Sequence, residues 1–303
     1  MNIPNQDNLL MNEQLPLFDL ESFTKVEPFT TQLLKWIGNK QRFAHEIIGY
    51  FPDKFGTYYE PFLGSGAVLG TLIPDRAVAS DTLKPLIEIW QTLRTEPEIL
   101  KEWYTIRWQQ LSSGEKIQEY ERIKASYNKH PNGADLLFLS RSCYGGVVRF
   151  RKDGHISTPC GIHNPITPES FAKRVDLWNK RVHHTEFILS DFESIMRQAQ
   201  CGDLIYCDPP YFDTQAILYG SQKFSLQRLF NVIADCKKRG VYVALSIDGT
   251  KKTGKKNLKL DIPDRLFERE AFVNCGRSML RRFQMGGQTL EGEVVTDRLL
   301  LTY

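Results

Sequence analysis

From Thr57 onward the chain alternates short apolar segments with amphipathic helical stretches, and this restricts the possible folds more than any other feature. The candidate strands are Tyr58-Tyr59, Ala77 to Ala79, Phe187 to Leu189, Leu204 to Cys207, Val241 to Leu245 and Leu299 to Leu301. Strands buried on both faces read as continuous apolar runs, and helical crossovers between them dictate parallel pairing, so the expected class is α/β. Between the second and third candidates the alternation stops. Residues 97 to about 180 read first as helices, and Val147 to Thr158 then reads as a hairpin with Asp153-Gly154 as a two-residue turn. The expected organisation is a tail over 1–30 that is flexible, a sheet domain over 31–96 and 181–303, and an inserted module over 97–180.

A chain of 303 residues with 41% hydrophobic side chains can bury one large core carrying such an insertion. The net charge of +3 is the small difference of 39 basic and 36 acidic residues, so any nucleic-acid surface must come from local clustering. Six cysteines lack any CxxC pair and no basic-then-apolar leader opens the sequence, which fits reduced thiols in a cytoplasm. Cys160 and His163 form one CxxH spacing, but no second pair completes a zinc site, so no metal is expected. No apolar run reaches the roughly 20 residues that span a bilayer. Residues 1 to about 30, rich in Asn, Gln and Pro, show neither helical nor strand periodicity.

Two segments carry chemistry. Glu60-Pro61-Phe62-Leu63-Gly64-Ser65-Gly66 follows a strand and opens a helix, and its glycines permit a sharp turn and close backbone approach to a ligand. Structural turns use the same residues. Asp81, just past the next strand, can accept both hydroxyl protons of a ribose, or cap the helix that follows. Asp208-Pro209-Pro210-Tyr211 comes directly after an apolar strand, at the carboxyl end where open α/β sheets place ligands. Its prolines fix φ and remove two amide donors, leaving a stiff loop of acceptors suited to a substrate amino group. The Asp208 carboxylate and the Pro209 carbonyl could bind both hydrogens of an exocyclic nitrogen and free its delocalised lone pair, while Tyr211 stacks on the ring. A base inside a duplex must flip out to be reached.

Together these residues resemble the Dam-like, D12 or class alpha, family of DNA adenine-N6 methyltransferases. The resemblance implies a Rossmann-like S-adenosylmethionine-dependent methyltransferase sheet, mostly parallel with its last strand antiparallel. Leu34 to Lys40 is similar to the family's N-terminal motif, which assigns Trp36 and Lys40 to the cofactor, although Asn39 replaces a more usual glycine. Glu60, Pro61, Phe62, Gly64 and Gly66 then form the cofactor loop, with Asp81 as the ribose acid and Asp191-Phe192 near the cofactor's adenine. Asp191 could equally cap a helix. Asp208 contributes to both cofactor and catalysis. Arg277-Ser278 and Asp297 to Tyr303 resemble closing strands. The family's order puts DNA recognition in the insertion, here carrying Arg141, Arg149, Arg151, Lys152 and His155 with Tyr144 and Phe150 interleaved. An ordinary solvated hairpin would look much the same.

The implied reaction is methyl transfer to N6 of a flipped-out adenine in double-stranded DNA, leaving S-adenosylhomocysteine, without a metal. Asp/Asn-Pro-Pro-Tyr loops also serve cytosine N4, RNA bases and protein glutamine, and a DNA-binding regulator with an inactive fold is a further alternative. Gln14 to Phe18 resembles a sliding-clamp peptide, though its apolar side chains could pack on the protein itself. A cognate restriction enzyme is a further partner that the resemblance allows, and the expected state is a monomer in the cytoplasm.

Overall fold

The computed structural model describes residues 26–210, 224–248, 262–276 and 295–303, and in it the apolar runs pair into one seven-stranded sheet. The strands are β1 (Tyr58–Glu60), β2 (Ala77–Asp81), β3 (Thr185–Leu189), β4 (Leu204–Cys207), β5 (Tyr242–Asp248), β6 (Arg269–Gly276) and β7 (Val295–Leu301). Their order is β3-β2-β1-β4-β5-β7-β6, parallel from β3 to β5, with β7 antiparallel to both neighbours. The chain therefore forms a Rossmann-like sheet with a reversed last strand. The connections that leave β1 and β4 run toward opposite edges, and a crevice opens where they part, beyond the carboxyl ends of the two strands.

All six expected strands are present. β6 is the additional one: its apolar run is only Ala271 to Val273, Phe272 is 56% exposed, and charged Arg269 and Glu270 suit an edge strand. Arg277 and Ser278 lie outside the described residues.

Alternate residues of each strand face two apolar layers. Tyr58, Leu204, Tyr206 and Ala244 join one layer, with α1 (Ala44–Ile48), α2 (Ala67–Leu72) and α3 (Lys84–Thr95). Tyr59, Ile205, Val243 and Leu245 join the other, with α8 (Phe192–Met196) and α9 (Leu226–Lys238). The interval 97–180 supplies α4 (Pro97–Ser113), α5 (Lys116–Lys129), α6 (Gly133–Ser142) and most of α7 (Pro168–Arg181). These helices share the core of the sheet. Tyr104, Tyr120, Phe138, Phe171 and Trp178 belong to the same buried cluster as Tyr58 and Trp90. Packing is close enough that a Cβ on Gly70 of α2 would stand 2.3 Å from the Trp178 ring.

Two expectations are corrected. The tail ends earlier than residue 30, because Phe29 is buried, meets the Trp178 ring at 5.2 Å and carries the Arg181 guanidinium 3.8 Å from its centroid. The hairpin is real, but its turn is a three-residue one. Arg151 N–H donates to His155 O, Gly154 N–H donates to Arg151 O, and Gly154 has φ 83°, so Lys152 and Asp153 form the bend and Gly154 the left-handed bulge. Two isolated bridges, Phe150 to Ile156 and Cys143 to Cys160, tie its arms. The Thr158 hydroxyl completes the pairing, accepting from Arg149 N–H and donating to Val147 O. Among the described residues no helix is long and apolar enough to cross a membrane.

Candidate active site

A cleft of about 570 Å³ lies at the carboxyl ends of β1, β2 and β4. Its floor is the glycine loop between β1 and α2. Gly64 has φ 48° and Gly66 φ 61°, a region costly for any residue with a Cβ. The two glycines serve different ends. A Cβ on Gly64 would press on the Trp36 indole at 3.3 Å, whereas one on Gly66 would meet the Trp90 ring at 2.9 Å. Gly64 thus lets the cleft lining pass under the Trp36 indole, while Gly66, which does not line the cleft, lets α2 start against α3.

Asp81, at the end of β2, lines the cleft and ties it together. Its carboxylate accepts from Leu83 N–H at 3.0 Å and from Gly64 N–H at 3.2 Å. Burial raises its pKa, with those backbone donors opposing the shift. Thr82 N–H opposes the shift as well, so at least one of its roughly four acceptor sites remains for a hydroxyl proton. The helix-capping alternative is half right: Asp81 holds Leu83 N–H, but the N-cap position of α3 is Leu83 itself.

The apolar end is aromatic. Phe62 stacks on Phe192 at 5.2 Å, and Phe224 meets both edge-on at 5.8 and 5.9 Å. Three rings packed on one another at one end of the cleft offer an apolar face to a flat heterocycle. Phe224 is absent from the residues the sequence points to, yet it carries a signal: it precedes Ser225, the N-cap of α9, where an apolar residue often packs back. Asp191 caps α8 by accepting from Glu193 N–H at 3.0 Å and pairs with Arg228, so its structural role is plain even though it reaches the cleft. Arg228 is likewise unanticipated; it lies 4.5 Å over the Phe192 ring and pairs with Glu193 at 2.6 Å.

The polar end gathers Lys40, Glu60, Tyr206 and Asp208. Lys40 is 4% exposed, and its ammonium lies 3.1 Å from Asp208 Oδ1 and 2.7 Å from Asp297 Oδ2. Glu60 accepts from the Tyr58 hydroxyl at 2.7 Å and from Leu69 N–H at 3.0 Å, and burial still pushes its carboxyl up to about 8. Glu60 is therefore largely protonated near neutrality. The buried Tyr206 hydroxyl has no hydrogen-bond partner among the described residues, leaving a donor facing a ligand-sized space. Pro209 and Pro210 line the same end; Tyr211 lies outside the described residues.

S-adenosylmethionine fits this set of groups. A planar base, a ribose and a charged amino-acid end match, in order, an aromatic face, a carboxylate with remaining acceptor capacity, and a polar cluster with an unspent hydroxyl.

The insertion's basic residues divide. Arg149, Arg151 and Lys152 are exposed and His155 partly so, with Arg151 and His155 turned toward Asp153. Arg141, expected among them, is 7% exposed, and its guanidinium donates to Leu33 O at 2.8 Å and Gln32 O at 3.1 Å. It anchors the lead-in to Trp36 rather than a DNA surface. Of the interleaved aromatics, Tyr144 is exposed while Phe150 is core.

A model of the D12 class N6 adenine-specific DNA methyltransferases matches residues 36–273. The "DNA N-6-adenine-methyltransferase" of Escherichia phage P1 is 27% identical over 74% of this chain, which spans only 31% of that protein's length. The Lactococcus lactis "Type II methyltransferase M1.LlaDCHI" is 27% identical over 73% of this chain and 81% of its own. A Vibrio cholerae "DNA adenine methylase" is 27% identical over 73% and 82%. The match runs from the Trp36 wall of the cleft, through the glycine loop and Asp208, into β6, so the chain belongs to the D12 class N6 adenine-specific DNA methyltransferase family.

Proposed function

We propose that this DNA adenine methyltransferase takes its methyl group from S-adenosylmethionine and delivers it to N6 of an adenine flipped out of double-stranded DNA. The observation that carries the reading is the position of Asp208: its carboxylate stands at the polar end of a cleft that fits the cofactor, held beside the Lys40 ammonium. Phe62, Phe192 and Phe224 would pack against the cofactor's base, Asp81 would accept from its ribose, and Glu60 and Tyr206 would face its amino-acid end. When bound, the cofactor supplies a methyl carbon on a cationic sulfur, electrophilic without further activation.

This chain's own groups do the rest. Asp208 Oδ and the Pro209 carbonyl accept the two N6 hydrogens and draw the nitrogen lone pair out of the ring. Since the nitrogen's proton becomes acidic only as the new bond forms, Asp208 need not be a strong base. Tyr211 supports the reading as a stacking platform for the extruded base. The exposed hairpin with Arg149, Arg151, Lys152 and His155 would touch DNA phosphates or base edges. Gln14 to Phe18 would bind a sliding clamp, and a restriction enzyme would act as partner. Both ideas rest on sequence alone, the first on residues outside those described.

Asp208→Ala should lower methyl transfer by about 1,000-fold or more while DNA binding persists. Nucleoside mass spectrometry of the product checks both the base and the atom. A variant with near-normal turnover, or methyl found on cytosine, would overturn the assignment.

A further inference from the structure

Asp297 enters none of the roles above, yet it is 6% exposed and lies nearer to Lys40 than Asp208 does, at 2.7 Å against 3.1 Å. Its place follows from topology. Parallel strands bring their last residues to this edge of the sheet, whereas β7 runs the other way beside β5 and brings its first. The reversed strand is what lets a carboxylate 89 positions downstream of Asp208 meet the same ammonium.

A lysine that has lost its hydration needs compensation from its neighbours, and removing one partner of a buried pair leaves charge uncompensated. If Asp208 were the sole partner, its carboxylate would be claimed by Lys40 and withdrawn from a substrate amino group. With Asp297 present the ammonium stays neutralised while Asp208 turns an oxygen to the substrate. We infer that Asp297 is a positioning residue for methyl transfer, anchoring Lys40 and thereby leaving Asp208 placed and available as an acceptor. This rests on the role proposed for Asp208.

The test is Asp297→Asn in the full-length protein, which removes the charge and keeps the shape. Misplacing a reacting group by about 1 Å can cost about 100-fold, so kcat should fall by about 10- to 100-fold with KM for DNA within about threefold. Asp297→Glu should recover part of the loss. In a Lys40→Met background the Asn substitution should have little further effect, the coupling expected of residues acting through one another. Cofactor titration and a melting curve on each variant separate this from misfolding. A folded, cofactor-binding Asp297→Asn enzyme with kcat within about twofold of the parent, or losses that simply multiply with those of Lys40→Met, would overturn the inference. Failure of the underlying reading is distinct: the unmutated protein would then place no methyl on adenine N6, or Asp208→Ala would remain active.

Discussion

The glycine loop and the hairpin are both turns with glycines at positive φ, but they are held differently. Gly64 and Gly66 are clamped by sheet register, by Asp81 and by two tryptophans. The hairpin is anchored at its base, where Asn128 bonds both the N–H and the carbonyl of Ile156 and where Phe150 and Ile156 join the core, but its tip is exposed, and a Cβ on Gly154 would meet nothing within 4 Å. On the roles proposed for them, the loop as a cofactor wall benefits from preorganisation, whereas the hairpin as a contact to a long, sequence-variable polymer needs exposed, adaptable side chains.

The comparison can be broken at several points. Gly66→Ala combines a strained φ with a 2.9 Å approach to Trp90 and should cost about 3 kcal/mol in a denaturant melt, whereas Gly154→Ala, strained but unobstructed, should cost about 1 kcal/mol. Equal costs would show that the loop is not clamped as described.

Glu60 gives the polar end of the cleft a pH signature. Below its ordinary value of about 4.3 the carboxyl is protonated in both folded and unfolded chains. From there to about 8 the unfolded chain gives up the proton and the folded chain keeps it, so this group makes stability fall as pH rises across that window. Glu60→Gln should flatten the fall, and an unchanged profile would contradict the burial argument. The smallest effect on folding is expected at the hairpin. Replacing Arg149, Arg151 and Lys152 by Ala should leave stability within about 0.5 kcal/mol. DNA binding should weaken, and its log–log salt slope should shrink by about 0.9 for each phosphate that the protein no longer neutralises. An unchanged slope would remove the hairpin from the DNA interface.

Much of the site is legible in the sequence because its signals are local. Glu60 to Gly66, Asp81 and Asp208 to Pro210 each owe their place to a strand end, a turn or a fixed φ, all encoded within a few neighbouring residues. Phe224 and Arg228 are less legible, since a helix start gives no hint of which cleft it faces. Arg141 misleads because an arginine near a hairpin looks the same in sequence whether it reaches solvent or folds back on the Gln32 and Leu33 carbonyls.

By itself, the sequence determined the alternating α/β pattern, the acceptor-only loop after β4 and the family order of motifs, because periodicity, proline and glycine act over short range. Only the tertiary structure decided that residues 97–180 share the sheet's core, that Arg141 is buried, and that Asp297 joins Lys40 and Asp208. Those outcomes depend on which distant surfaces pack together, and on the reversed direction of β7, which no local run of residues specifies.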